Sequence, residues 1–251
     1  RFDVKANVAT LTGDVRLTTR YQESELLSGL GSTIHEAGHG MYEQGLPQRW
    51  AGTGLAQAAG MGMHESQSRF WENIIGRSLP FFEWMTPIMR DIWPQKDISA
   101  EGLYGAANRV EPSLIRVEAD EATYNLHIVI RFELELALLA GELEVSDLPG
   151  AWADAYERVL GVRPPGPAQG VLQDVHWSAG LFGYFPSYTI GNLYASSFRF
   201  QMEQDLPDMW AQVEAGHFQS VLEWLRAKVH DHGHREDAPV IFRNAVGDRD
   251  P

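Results

Sequence analysis

The spacing of apolar side chains along the chain is mainly helical. From Glu23 to Gln44 apolar residues recur every three or four positions, which predicts an amphipathic helix. The same spacing, often closed by Gly or Pro, predicts further helices, which cover approximately 62–76, 81–93, 113–140, 149–160, 187–204, 208–215 and 219–229. Apolar and polar residues alternate from Val15 to Tyr21 and predict one short strand. The expected fold class is therefore mainly α with a small β element.

The longest predicted helix opens after Pro112, at Ser113, and ends before Gly141. Its segment Leu126–Leu139 is apolar on nearly all faces, which predicts burial inside a large helical body. Residues 163–170 contain three prolines and two glycines and are predicted to form a loop. The polar segment Asp231–Pro251 is expected to be partly disordered. No internal repeat is found, and residues 1–251 are expected to form a single mainly helical domain.

Composition narrows the classes of function. A chain of 251 residues with 44% hydrophobic residues can bury a large core. It contains no cysteine, which excludes thiolate metal ligands and a cysteine nucleophile and agrees with a cytoplasmic protein. The formal net charge of -14 disfavours nucleic acid and anionic lipid as partners. No apolar run approaches the ~20 residues of a membrane span, so no membrane partner is expected.

The pattern His-Glu-x-x-His occurs once, at His35-Glu36-Ala37-Gly38-His39, within the first predicted helix. Residues four positions apart on an α-helix return to within about 40° of the same face, so both imidazoles can bind one metal ion. Glu36 lies about 100° from His35, where its carboxylate can activate a metal-bound water without being a ligand. The pattern predicts a zinc centre, and the alternative is a pair of exposed or core histidines.

Two histidines leave a catalytic zinc one protein ligand short. A metzincin would place a third histidine at position 45, where this chain has Gly45, so that subclass is excluded. A carboxylate from the following helix remains. Glu65, in His64-Glu65-Ser66-Gln67, is favoured because the Gly-rich turn before it lets the two helices run side by side. Glu43 and Glu72 are the alternatives.

Five motifs, in this order along the chain, resemble those of the thermostable carboxypeptidase Taq family of metallocarboxypeptidases, family M32. They are Asp14-Val15-Arg16-Leu17-Thr18, the zinc motif His35–His39, His64-Glu65-Ser66-Gln67, Ile115-Arg116-Val117-Glu118-Ala119-Asp120, and Gly170-Val171-Leu172-Gln173-Asp174-Val175-His176-Trp177. The similarity extends over roughly Asp14 to Gly247. In this resemblance the metal ligands are His35, His39 and Glu65.

The resemblance implies a metal-dependent exopeptidase that removes single residues from the free C-terminus of peptides. It implies a helical fold similar to neurolysin and angiotensin-converting enzyme, a zinc cofactor that cobalt can replace, and a homodimer. Zinc would polarise the scissile carbonyl, and Glu36 would take a proton from the attacking water and pass it to the leaving amine.

Further site residues are implied by the same resemblance. His176, with Tyr184 or Tyr188, would donate to the oxyanion, because related folds use a histidine and a tyrosine in this way. Arg116 would bind the C-terminal carboxylate of the substrate, for which a guanidinium fork is suited. The structural alternative for Arg116 is a salt bridge with Asp120.

Two more residues of the quoted motifs are assigned to the substrate side of the site. Arg16 and Gln173 are candidates for substrate binding. Alternatively, Arg16 and Asp14 order the strand beside the metal helix.

Family members are considerably longer and carry a helical N-terminal half, so the resemblance implies that this chain corresponds to the C-terminal half, with the other half absent. The His-Pro-Phe motif of the family has no full counterpart in Arg1–Gly13. Two other functions follow as alternatives. One is a catalytically weak metal-binding or peptide-binding remnant, and the other is an endopeptidase or dipeptidase of the same fold.

Overall fold

The computed structural model describes residues 14–19, 22 and 24–247 and the backbone of residues 7–8. Within this part of the chain two short strands, β1 (Asn7–Val8) and β2 (Val15–Arg16), pair antiparallel, with Asn7 opposite Arg16. The remaining regular structure is helical, which confirms the mainly α class. The helices are α1 (Leu26–Gly45), α2 (Met61–Arg69), α3 (Leu79–Ile92), α4 (Ala100–Ala107), α5 (Glu121–Leu139), α6 (Leu148–Leu160), α7 (Pro186–Asp205), α8 (Met209–Glu214), α9 (Gln219–Lys228) and α10 (Ala238–Val246).

The described chain forms two compact units. The first comprises the described parts of Arg1–Ala107 and Ile190–Pro251, and the second comprises Asn108–Thr189. The expectation of a single domain stays a prediction. No helix among the described residues is both long enough and apolar enough to pass through a bilayer.

The first unit has an aromatic-rich core to which most of its helices contribute. Tyr42, Met63, Phe70 and Phe198 are each fully buried in this core, and Phe242 of α10 is 2% exposed. Burying a large side chain contributes about 1.5–3 kcal/mol. This core therefore holds α1 and α2, which carry the predicted metal ligands, against α7, α9 and α10.

The second unit is built on the pairing of α5 with α6. Ile130 of α5 packs in one cluster with Trp152 and Tyr156 of α6, and the two aromatic rings stack with centroids 5.4 Å apart. Helix α6 ends at Gly161, whose φ of 71° is left-handed, a backbone conformation that glycine adopts without strain.

The predicted helix 113–140 is wrong at its start. Helix α5 begins at Glu121, because Asp120 is its N-cap and accepts a hydrogen bond from the amide of Thr123 at 2.9 Å. Residues Arg116–Glu118 form a separate 3-10 turn. The expected burial of α5 on all faces is also wrong, since one face exposes Leu126, Val129, Phe132, Leu136 and Leu139 by 38–64%.

Three shorter elements also differ from the sequence-based expectations. The strand predicted from Val15 to Tyr21 ends at Arg16, and Tyr21 lies outside the described residues. The eight-residue α4 was not predicted, because its two glycines obscure the helical period. In the segment expected to be partly disordered, α10 is a helix with a buried face. Residues 1–6, 9–13 and 248–251 lie outside the described residues, so the interpretation of the N-terminal motif is untested.

Candidate metal centre

Two glycines allow the helices that carry the predicted ligands to approach each other closely. A Cβ atom at Gly38 of α1 would lie 2.7 Å from both Gln67 O and Ser68 Cα of α2. A Cβ at Gly191 of α7 would lie 2.6 Å from the Cβ of Glu65. Only glycine fits at such distances without a shift of the neighbouring backbone. The close packing brings Glu65 to the face of α1 that carries the two histidines.

His35, His39 and Glu65 converge. The Nε2 atom of His35 lies 3.8 Å from Glu65 Oε2, and the Nε2 atom of His39 lies 3.9 Å from the same oxygen. The ligand atoms of the three residues all lie within 4.8 Å of one another. His39 and Glu65 are buried, and His35 is partly buried. Ser68 Oγ donates to Glu65 Oε2 at 2.9 Å and orients the carboxylate.

The outer ring nitrogen of His35 contacts Glu72, which was an alternative third ligand. The distance from Nδ1 to Glu72 Oε2 is 2.8 Å, and Arg69 donates to the same oxygen at 3.0 Å. Glu72 is carried by a π-helical segment, Phe70–Ile75, that continues α2. Burial opposes ionisation, but the charge of Arg69 and the bond to His35 lower the pKa of Glu72 to about 2. Glu72 is therefore an ionised partner behind His35.

The outer ring nitrogen of His39 has a different neighbour. Its Nδ1 lies 2.5 Å from Nδ1 of His64, and His64 Nε2 lies 2.8 Å from Oε1 of Glu43, the other alternative ligand. Burial and the nearby His35 lower the pKa of His39 to about 2, so this imidazole is neutral at pH 7. A neutral imidazole is the form that binds metal.

Glu36 is partly buried, on the helical turn that carries the two histidines. Loss of hydration raises the pKa of its carboxyl, and the charges of Glu65 and Glu72 add to this increase. A carboxyl whose pKa is raised holds a proton more readily at neutral pH, as a general base must do during a reaction.

The donor set fits a zinc ion. Zinc binds histidine nitrogen and carboxylate oxygen at about 2.0–2.2 Å, so tetrahedral ligand atoms lie about 3.3 Å apart. The separations of 3.8 and 3.9 Å from the imidazole nitrogens to Glu65 Oε2 are slightly wider than this value. Because both outer ring nitrogens have hydrogen-bonding neighbours, the Nε2 atoms of His35 and His39 are the ones that converge on Glu65.

The second unit contains Arg116 within a buried polar cluster. Its Nε and Nη2 donate to Asp174 Oδ1 at 3.1 and 2.7 Å, and its Nη1 donates to Tyr124 OH at 3.0 Å. The side chain of Arg116 is 6% exposed. The alternative prediction, a salt bridge between Arg116 and Asp120, is wrong. Asp120 caps α5, and Arg116 forms its salt bridge with Asp174.

Arg131, which the sequence analysis missed, shares Asp174 with Arg116. Its Nε donates to Asp174 Oδ2 at 2.6 Å, and its Nη2 donates to Gln173 Oε1 at 2.8 Å. Gln173 also accepts from the amide of Arg116 and donates to Leu114 O. Burial opposes ionisation of Asp174, but the two guanidinium charges lower the pKa of its carboxyl. The available signal for Arg131 was a charged residue placed directly between apolar positions 128–130 and Phe132.

His176 lies beside both predicted tyrosines in the second unit. Its Nε2 is 3.0 Å from Tyr188 OH, and its ring centroid is 5.3 Å from that of Tyr184. The guanidinium of Arg116 lies over the ring of Tyr188, 4.7 Å from its centroid. The structure thus brings His176, Tyr188 and Arg116 together, with Tyr184 against the imidazole.

Arg16 is the exposed member of the predicted set. It pairs with Asp14 at 2.8 Å, with side chains 77% and 48% exposed. The adjoining strand lies beside α1, since a Cβ at Gly40 would lie 3.0 Å from Leu17 and 3.4 Å from Val15. This placement agrees with the interpretation that the segment is ordered beside the metal helix.

Comparison with known proteins gives consistent matches. The family model described as Carboxypeptidase Taq (M32) metallopeptidase matches residues 7–250. The chain is 51% identical over 242 residues to Thermostable carboxypeptidase 1 of Thermus thermophilus, covering 96% of this chain and 48% of that protein. It is 46% identical over 241 residues to Carboxypeptidase 1 of Bacillus subtilis, covering 94% and 48%.

A solved structure matches over the same extent. The crystal structure of an M32 carboxypeptidase from Deinococcus radiodurans has a TM-score of 0.90 at 45% identity, covering 93% of this chain and 48% of that one. The match confirms the helical metallopeptidase fold that the motifs imply. The chain spans about half the length of the relatives that it matches.

Proposed function

Since the chain belongs to the Carboxypeptidase Taq (M32) metallopeptidase family, we propose that it provides the metal centre of a zinc-dependent carboxypeptidase. The observation that carries the proposal is the convergence of His35, His39 and Glu65, with Glu36 on the same turn of α1. Peptides with a free C-terminus are the proposed substrates, and single C-terminal residues are the proposed products.

The chemistry divides between the metal and the residues of the chain. A bound zinc ion would supply Lewis-acid chemistry, polarising the scissile carbonyl and making a water molecule more acidic. Glu36 takes the proton of the attacking water on a carboxylate oxygen and passes it to the leaving amine. His35, His39 and Glu65 would hold the ion, and their hydrogen bonds to Glu72, His64 and Ser68 keep these side chains in place.

The proposal extends to the cluster of the second unit. His176 and Tyr188 would donate hydrogen bonds to the oxyanion, and Arg116 would bind the substrate carboxylate, with Gln173 orienting Arg116 through its backbone amide. Arg116 donates one bond each from Nε, Nη1 and Nη2 to Asp174 and Tyr124, and because a guanidinium has five N–H groups it can bind a carboxylate without giving up these contacts. The hydrogen bond to His176 favours Tyr188 over Tyr184, so we expect Tyr188→Phe to lower kcat more than Tyr184→Phe.

Release of amino acids from a peptide with a free C-terminal carboxylate and from its C-terminal amide tests the proposal. With zinc or cobalt added, we expect sequential release from the free acid alone. Glu36→Gln should abolish release while zinc content stays at the wild-type level, because Glu36 is not a ligand. Cleavage of the amide peptide would indicate an endopeptidase or dipeptidase. Bound zinc without any release would indicate a metal-binding remnant, and both results would contradict the carboxypeptidase proposal.

The family resemblance supports a proposal about assembly, and the composition of the chain supports one about location and partners. We propose a homodimer in the cytoplasm, without nucleic acid or membrane partners. Light scattering coupled to size-exclusion chromatography tests the assembly, and a mass of one chain at micromolar concentration would contradict it.

A further inference from the structure

The two histidines of the proposed metal centre have different neighbours at their outer ring nitrogens. His35 Nδ1 lies 2.8 Å from a carboxylate oxygen of Glu72, whereas His39 Nδ1 lies 2.5 Å from another imidazole nitrogen, Nδ1 of His64. A metal-binding histidine usually donates its outer N–H to a carboxylate, a backbone carbonyl or a water molecule. An imidazole partner differs because either ring can hold the shared proton.

Metal binding through Nε2 decides where the proton between the two rings must be. A neutral His39 that uses Nε2 as a ligand carries its proton on Nδ1. His64 Nδ1 must then be the acceptor, which places the proton of the neutral His64 ring on Nε2. That nitrogen lies 2.8 Å from Glu43 Oε1, which accepts the bond. Both ring nitrogens of His64 and the Nδ1 of His39 then have a hydrogen-bond partner.

The opposite arrangement is unfavourable. If His64 held its proton on Nδ1 and donated it to His39, the lone pair of His64 Nε2 would face the carboxylate of Glu43. The proton of His39 would then lie on Nε2, the atom that faces Glu65. The side chains of His64 and Glu43 are only 10% and 14% exposed, so water cannot readily relieve the repulsion.

We propose that His64 and Glu43 form a relay that holds His39 in its metal-binding tautomer. Both are positioning residues, because they act on the metal through His39 and not by direct contact. The inference rests on the proposed metal centre. Two contacts support it, one between Glu43 and His64 and one between His64 and His39.

Long-range proton–nitrogen correlation spectra of the chain labelled with 15N-histidine test the tautomers directly, at one pH and without activity. We expect the proton of His64 on Nε2 and that of His39 on Nδ1 in the zinc-loaded chain. In Glu43→Leu, which removes the acceptor at similar volume, we expect His64 to populate the Nδ1–H form in the metal-free chain. A His64 proton on Nδ1 in the wild-type, zinc-loaded chain would overturn the relay.

Zinc affinity, measured by competition with a chelator, tests the link to the metal. We expect Glu43→Leu to bind zinc about tenfold more weakly than wild type, the lower end of the effect of losing an outer-shell partner. Glu43→Gln retains an acceptor oxygen and should stay close to wild type. Gln44→Ala, at the exposed neighbouring position of α1, is the matched control and should leave affinity unchanged.

The outcomes separate the relay from the metal centre itself. Equal zinc affinity of Glu43→Leu and Gln44→Ala would overturn the relay while leaving the metal centre intact. Thermal unfolding of the metal-free variants identifies a merely structural role, since that role would lower Tm without changing the tautomers. If the wild-type chain bound no zinc, the proposed centre would fail, and the spectra of the metal-free chain would still decide the tautomer of His64.

Discussion

Gly38 sets the distance between the two helices that supply the proposed metal ligands. A methyl group at this position would meet Gln67 O and Ser68 Cα at 2.7 Å, whereas ordinary contact begins at 3.4 Å. Both contacts are backbone atoms, which cannot turn aside as the end of a flexible side chain can. In Gly38→Ala, α1 and α2 must therefore separate by about 0.7 Å to relieve the overlap.

The displacement is large for a metal site. Metal–ligand distances tolerate about 0.2 Å, and Glu65 lies on α2 while both histidines lie on α1. We therefore expect zinc affinity to fall at least about tenfold, since loss of a group that only hydrogen-bonds to a metal ligand already has an effect of that size. The overlap should also cost about 1–3 kcal/mol in unfolding free energy, offset by about 1 kcal/mol from the better helix propensity of alanine.

Gly31→Ala is the matched control on the same helix. A Cβ at Gly31 has Glu72 Oε1 at 3.9 Å as its contact, which is ordinary van der Waals distance, so the change gains helix propensity without overlap. Urea unfolding of both metal-free variants and chelator competition for zinc give the comparison. Because the propensity gain is common to both, their difference isolates the overlap. Equal stability and equal zinc affinity of the two variants would refute the reasoning.

Three further predictions follow from buried charges and from the metal. The pKa of Asp174 is lowered because the charges of Arg116 and Arg131 outweigh the effect of burial. The contribution of this carboxylate to stability is therefore complete above about pH 3.9 and is lost as the pH falls through the lowered pKa. A carbon-13 carboxyl titration should find Asp174 ionised at a pH where exposed aspartates are half protonated. Arg131→Met should destabilise the chain by about 3–5 kcal/mol in urea unfolding. Arg158→Ala, which breaks an exposed pair with Glu133, should cost at most about 1 kcal/mol, and equal costs would contradict the assignment. Zinc at 100 times its Kd should raise the unfolding free energy by about 2.7 kcal/mol in calorimetry, an increase that a chelator removes.

Helices with a long, clear apolar period could be predicted from the sequence, and those with short or irregular periods could not. The predicted helix beginning near Glu23 is present as α1, and the helix predicted for 149–160 is present as α6. Helix α5 was extended too far, because a local pattern does not show that the Asp120 side chain caps the helix. Helix α10 was missed because its polar flanks hide a short buried face that forms only against the core of the first unit.

The sequence by itself determined that His35 and His39 share a face of one helix, because the helical repeat alone brings residues four apart to the same side. The sequence also indicated the family, because the five motifs are short runs of residues that can be recognised without knowing the fold. The sequence favoured Glu65 over Glu43 and Glu72, but only the tertiary structure gives the distances of 3.8 and 3.9 Å between the Glu65 carboxylate and the two imidazole nitrogens. Glu65 reaches the histidines because Gly38 and Gly191 let three helices meet, while Glu72 lies against the outer ring nitrogen of His35 and Glu43 lies against His64. Which carboxylate lies near the histidines depends on distances between segments that are far apart in the chain. Packing of the helices sets these distances, and the local spacing of apolar residues does not determine them.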